Sequence, residues 1–303
     1  RIAVPSDLPP PGKWDNAAIN VLVLRDEITK TYPEHSALLS ALTTAAIDRT
    51  NEDPDLAKSI TAKWVFGTGP ILTPQGTLDP LDVENRSFEN MVFTAGAEPP
   101  YSVLVQSAID SMYGGSGVYD PMDYVDSDVT DRALVLLNGT DIPRVGPAIP
   151  TLHIGYIPSS DNYAPVYVMV KDSQYFCDRY GFCIVPDDPD LSRPVSCTLF
   201  VNDTPAAHVN LIMGQSGGGI MTTIGQEALD GAYVGSFPAE LQIALGNPAL
   251  IIQSVNTGGS GLVVANGSSL RNWDDFVGWV KIRSSAGRPV VIATVQSSIQ
   301  EDM

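Results

Sequence analysis

The sequence is poor in positive charge and in the residues that carry most enzymatic chemistry. Lys and Arg together number 17 against 35 Asp and Glu, a net charge of −18 over 303 residues. Such a surface repels nucleic-acid phosphates and anionic lipid headgroups, which argues against a nucleic-acid or membrane-surface partner. The three histidines, His35, His153 and His208, are scattered. His35 is expected to face solvent at a helix start, the other two to be satisfied structural residues at strand starts. Cysteine is confined to Cys177, Cys183 and Cys197, one short of an all-cysteine zinc site. One disulfide plus a leftover thiol, and three inert core residues, both remain open. No apolar run approaches the roughly 20 residues that span a bilayer, and no signal-peptide pattern opens the chain. It starts at Arg1, so either a leader has been removed or it is a piece of something longer.

What is present is an ordinary globular composition, 44% hydrophobic with 26 Gly and 24 Pro, in a chain long enough for two compact lobes. "INVLVLR" (19–25) reads as a buried strand. "EHSALLSALTTAAIDRT" (34–50) has apolar residues at helical spacing, and "DPDLAKSITAKWVFG" (53–67) forms a second helix stopping near Gly67. After a Pro/Gly-rich loop (67–80) come a short strand in "NMVFT" (90–94) and a helix around 100–112. The stretch 114–150 mixes Gly/Ser, acidic residues and four prolines, and reads as a linker with one helical turn or strand inside it.

From 151 onward, strands and helices alternate. The strands are expected in "LHIGYIP", "CTLFVN", "HVNLIM", "GAYVG", "ALIIQSV", "SGLVVA" and "PVVIAT". Helices are expected over 164–181, 217–229, 238–246 and 273–287, and "SSIQEDM" starts another. This rhythm predicts an α/β fold with a parallel-type sheet and helices on both faces.

In such sheets ligands bind beyond the carboxyl ends of the strands. The residues there share one character. They are Ser159, Ser160 and Asp161; Gln215, Ser216, Gly217 and Gly218; Gly235 and Ser236; Thr257, Gly258 and Gly259; and Ser297 and Ser298. Hydroxyls, amides and glycine backbone dominate, and basic side chains are absent. Glycine lets a backbone approach a ligand closely, and helix N-termini offer unpaired N–H groups. These loops can therefore hold an anionic or polar group without formal positive charge. Most also have a structural reading, as a tight turn before a packed helix, a helix cap or, at 257–261, a plain turn between two strands.

Other phosphate and nucleophile motifs fit less well. "GQSGGGIM" (214–221) lacks the lysine of a P-loop, and no acidic ribose partner follows where a dinucleotide site needs one. "GQSGG" matches the hydrolase elbow G-x-S-x-G, but no histidine follows Ser216, where that fold places its base.

The segments "IGYIPSSDNYAPVYVMVKDSQYF", "MGQSGGGIMTTIGQEALDGAYVGSFPAELQIALGNPALIIQSVNTGGSGLVV" and "WDDFVGWVKIRSSAGRPVVIATVQSSIQEDM" together resemble ABC-transporter solute-binding proteins. The nearest branch is the nitrate/sulfonate/taurine/bicarbonate type, related to thiamine-precursor-binding proteins. The resemblance covers about half the chain and implies a type II periplasmic-binding-protein-like fold, in which two α/β lobes close on a solute. Residues 1–113 resemble the C-terminal half of such a domain, with the return crossover in "RIAVPSDLPPPGKWDNAAINVLVLRDEI". Residues 151–303 resemble its N-terminal half, the first lobe. The halves stand in reversed order about the 114–150 linker, and the second lobe is largely missing. A fragment of a tandem array and a circularly permuted, shortened domain both fit this order. The resemblance implies an extracytoplasmic, non-enzymatic receptor for a small polar or anionic solute, working with a membrane permease. It would be held at the membrane by that permease or by an anchor outside this chain. No cofactor or metal is expected. Trp14 and Asn16 become candidates for the second-lobe side of the cleft, and 1–113 is expected to dock on the sheet of 151–303. An enzyme of the thiamine-pyrimidine-synthase kind and a ligand-sensing module are the alternatives.

Overall fold

The structure, a computed structural model, describes residues 1–9, 12, 16–96, 110, 124–139, 145, 146 and 149–294. Eight strands form one sheet in the order β4-β10-β1-β9-β5-β8-β7-β6. They are β1 (Ala18–Arg25), β4 (Met91–Phe93), β5 (Thr151–Tyr156), β6 (Phe182–Pro186), β7 (Ser196–Val201), β8 (Thr204–Met213), β9 (Gly231–Gly235) and β10 (Ala249–Gly258). A separate hairpin joins β2 (Ile71–Thr73) to β3 (Gly76–Leu78). The helices are α1 (Asp26–Thr31), α2 (Pro33–Glu52), α3 (Pro54–Phe66), α4 (Pro80–Phe88), α5 (Ser127–Leu137), α6 (Ala164–Lys171), α7 (Ser173–Tyr180), α8 (Gly217–Gly225), α9 (Ser236–Ala244) and α10 (Trp273–Ser285).

The central strand explains the architecture. All eight residues of β1 are buried, as expected for a strand covered on both faces. Its side chains alternate. Leu22 and Leu24 enter the core beneath α2, α3, α5 and α6, whereas Val21 and Val23 pack with Ile220, Met221 and Ile224 of α8 and Ala239 and Ile243 of α9. On β9, Tyr233 joins the first layer and Ala232 and Val234 the second. The result is a three-layer α/β/α sandwich.

β1 pairs antiparallel with β9 on one side and β10 on the other. A strand from the first quarter of the chain thus lies between two strands from its last third, so 1–113 and 151–303 share one sheet. α5, longer than the one helical turn or strand expected in 114–150, buries Val129, Ala133 and Leu136. Asp126 caps that helix from its side chain.

The sheet is mixed rather than parallel. Among the described strand pairs only β5–β8 and β5–β9 run parallel, while β6–β7, β7–β8, β1–β9, β1–β10 and β4–β10 are antiparallel. Two causes are visible. β6, which was not expected, forms an edge hairpin with β7, and its Pro186 lies at the strand end, where a missing N–H is tolerated. β1 enters against the direction of its neighbours.

Other boundaries also moved. The single helix expected over 164–181 breaks at Asp172, whose carboxylate is drawn to Arg49 Nε at 2.8 Å. The helix from Gly217 ends at Gly225 rather than 229, where Glu227 adopts φ +62°. "SGLVVA" makes one isolated bridge, Ala3 to Leu262. "PVVIAT" forms no strand among the described residues, where nothing pairs with it and Val291 is 89% exposed. The helices expected around 100–112 and from 297 fall outside the described residues, apart from Asp110.

Two chemical expectations are resolved. Cys177 and Cys183 form a disulfide across the α7–β6 connection, with Cα atoms 4.9 Å apart. Cys197 is a buried free thiol whose pKa burial pushes up to about 12. His35 is buried rather than solvent-facing, and its Nε2–H donates to Ala206 O at 3.0 Å. His153 sits 3.3 Å from the Asp230 carboxylate, and His208 is exposed on β8, contrary to the structural role expected.

Candidate functional site

Strand directions bring four of the five expected loops to one edge. β5, β8, β9 and β10 all end there, and β1 begins there, because β1 is antiparallel to β9 and β10. Contacts run along the whole edge. Gly214 N donates to Tyr156 O at 2.8 Å, tying the end of β8 to that of β5. Asn20 of β1 lies opposite Gly235 of β9 and Asn256 of β10.

Beneath this rim runs a ladder of side-chain amides. Asn20 Nδ2 donates to Asn256 Oδ1 at 2.9 Å, and Asn256 Nδ2 donates to Asn162 Oδ1 at 3.1 Å. Asn256 is fully buried and Asn20 is 5% exposed. The ladder ties β1, β10 and the short 3-10 turn Asp161–Tyr163 together. Sequence reasoning passed it over, although a lone Asn inside the apolar run "INVLVLR" is a signal. Polar groups buried in a strand need partners.

The three glycines divide their roles. A Cβ on Gly217 would fall 2.6 Å from Pro238 Cγ, so this glycine lets α8 approach α9. A Cβ on Gly218 would meet nothing within 4 Å. Ser216 caps α8 by accepting from Gly219 N at 3.2 Å. The N–H groups of Gly217 and Gly218 have no partner within the helix, as first-turn groups do not. Gln215 and Ser216 are exposed beside them, next to a depression of about 330 Å³ lined by Ile212, Met213, Ile220, Thr223 and Leu229.

Several expected contact residues face inward. Ser236 is buried, its hydroxyl donating to Ala18 O at 2.6 Å. Thr257 is buried in β10 between Ala18 and Val92. Gly258 and Gly259 have φ of +72° and +78°, in the left-handed region that suits glycine. A Cβ at Gly258 would lie 2.2 Å from Asn90 O, and Gly259 N donates to that oxygen at 2.7 Å. The end of β10 is therefore held by the chain between α4 and β4.

Ser159 is exposed, and Ser160 offers its carbonyl to Tyr167 Oη at 2.7 Å. Tyr167 in turn stacks on Trp64, with ring centroids 4.6 Å apart, so an aromatic cluster supports the loop from below. The side chains of Ser159 and Ser160 do not cap α6, whose first residue follows Tyr163. Asn16 is exposed two residues before β1. Trp14, Ser297 and Ser298 lie outside the described residues.

Asp161 is the sole charged side chain among the described loop residues 158–162, 214–219, 235–236 and 256–260. It accepts a hydrogen bond from Ser87 of α4. Glu84, one turn earlier, is fully buried, and among the described residues neither carboxyl oxygen has a partner. Burial, and secondarily Asp161, push its pKa up to about 8, so it is mostly neutral at pH 7. Among the described residues no group of three or more His, Cys, Asp or Glu is placed to hold a metal ion. None of their helices is long and apolar enough to cross a membrane.

Comparison with protein-family models, curated proteins and solved structures finds no match to this chain.

Proposed function

We propose that this chain is the solute-binding component of an ABC importer, acting outside the cytoplasm, delivering a small polar or anionic solute to a membrane permease and catalysing no reaction. The observation that carries this reading is the arrival of uncharged donors from separate loops at one sheet edge. Gln215, Ser216 and the N–H groups of Gly217 and Gly218 come from β8 and α8, and Ser159 from β5. Uncharged donors suit reversible capture, because a desolvated Lys or Arg held against an anion is costly to separate. The helix N-terminus supplies partial positive charge without that cost.

In this reading the sheet is the first lobe of a type II periplasmic-binding-protein-like domain, with the second lobe largely missing. Residues 1–113 supply its C-terminal half and 151–303 its N-terminal half. The antiparallel entry of β1 between β9 and β10 supports that reading, since a crossover strand returning from a second lobe would enter in this way. One wall of a cleft gives weak binding, so affinities in the millimolar range are expected.

Amide-resolved NMR titration with nitrate, bicarbonate, taurine and a hydroxymethylpyrimidine tests the reading. At least one probe should shift the amides of 215–218 and 159–160 in a saturable way. A folded protein whose rim amides respond to none of the four overturns it.

A further inference from the structure

The chain holds four Asn-x-Ser/Thr tripeptides, at Asn85-Arg86-Ser87, Asn138-Gly139-Thr140, Asn202-Asp203-Thr204 and Asn266-Gly267-Ser268. This tripeptide is the acceptor pattern for N-linked glycan, in which the hydroxyl residue is part of what the transferase reads. All four asparagines are exposed.

The sites differ in what surrounds the hydroxyl. Ser87 lies in α4, is partly buried, and donates to Asp161. Ser268 is partly buried, and its Oγ accepts from Leu270 N at 3.2 Å. Thr140 lies outside the described residues. Thr204 is exposed, and its hydroxyl makes a marginal contact to Asn202 O at 3.5 Å. Asn202 and Asp203 form the two-residue turn between β7 and β8, both with positive φ (+47° and +61°), which projects the acceptor from a hairpin tip.

The neighbourhood adds a second observation. Asn202 N donates to Gly181 O at 2.7 Å, and Gly181 lies inside the loop closed by the Cys177–Cys183 disulfide. The acceptor turn is thus fastened to a bond that persists in oxidising compartments, where N-glycan transfer also takes place. The turn stands at the edge of the sheet opposite the rim, since β8 runs from Thr204 toward Met213. A glycan there leaves the rim open.

We propose that Asn202 is an N-glycosylation site, modified by transfer from a lipid-phosphate-linked saccharide. The Asn202 Nδ2–C1 bond forms as the C1–O bond to the lipid phosphate breaks. The electron pair leaves with the phosphate oxygen, and one Nδ2 proton passes to solvent. This depends on passage out of the cytoplasm and not on solute binding, so the two readings fail separately.

Glycopeptide mass spectrometry on protein from its native source tests the proposal. A saccharide mass is expected on Asn202. It should vanish in both Asn202→Gln and Thr204→Ala expressed in that source, and persist in Thr204→Ser. Thr204→Ala leaves the positive-φ asparagine intact, so it tests the site even if Asn202→Gln fails to fold. A bare Asn202 in the native protein overturns the proposal, whether or not the other three sites carry glycan, as does modification that survives Thr204→Ala.

Discussion

Asn20 Nδ2 donates to Asn256 Oδ1 at 2.9 Å across two central strands, and Asn256 passes the bond on to Asn162. The middle member makes both connections, so the ladder depends most on it.

Replacing Asn256 with Ala should therefore cost more than replacing either end. It strands a buried Asn20 donor and removes the partner of the Asn162 carbonyl, an expected loss of about 1–3 kcal/mol. Urea unfolding of Asn256→Ala and Asn162→Ala checks the order. Equal losses would show that the ladder does not depend most on its middle member.

Gly217 and Gly218 are adjacent in sequence and opposite in consequence. An added methyl at Gly217 meets Pro238 at 2.6 Å, so Gly217→Ala should destabilise by about 1–3 kcal/mol through overpacking. At Gly218 the methyl enters open space, and the lower freedom of Ala in the unfolded chain should stabilise by roughly 0.4–1 kcal/mol. Thermal melts of the two variants should move in opposite directions. Under the proposed function, Gly218→Ala should also weaken solute binding, because its methyl occupies the space above the α8 N-terminus.

What the sequence could tell follows from the range of the interactions. β1, α2, α3 and β9 were legible because their apolar spacing and caps are local. Strand direction was not, because β1 joins the sheet through partners more than 200 residues away. At the break, Asp172 pairs with Arg49, again a distant partner. In the candidate site, the loops at the strand ends were readable as polar and glycine-rich. Whether a hydroxyl there faces out, like Ser216, or in, like Ser236, depends on Ala18 O, which no local pattern discloses. Glu84 was invisible for the same reason, as its helix looks solvated until α3 and Asp161 cover it.

His35 gives one pH dependence. Burial lowers its pKa below 6.5, while the hydrogen bond to Ala206 O and Glu34 pull weakly the other way. The unfolded chain then binds the proton more readily than the folded one. Stability is complete above pH 6.5 and declines as pH falls below it. Melting temperature measured from pH 7.5 to 5 should drop less in His35→Gln than in the parent protein. Parallel curves would remove His35 as a cause.

Glu84 gives the opposite sign. Its folded-state pKa of about 8 stands above the ordinary 4.5, so the folded chain holds a proton that the unfolded chain releases. The stabilisation is complete below pH 4.5 and is lost as pH rises through about 8. Glu84→Gln keeps the shape and removes the ionisation. Its urea midpoint should gain on the parent steadily from pH 5 to 9. The structural consequence reaches the rim, because α4 also carries Ser87, which holds Asp161, and leads into Asn90, which holds Gly259. A charge forced onto Glu84 beside Asp161 pushes α4 outward, so hydrogen exchange at Gly259 should quicken above pH 8 beyond the intrinsic rise with base. In Glu84→Gln that excess should be absent. If Gly259 exchanges identically in both proteins across this range, α4 does not transmit the ionisation to the end of β10.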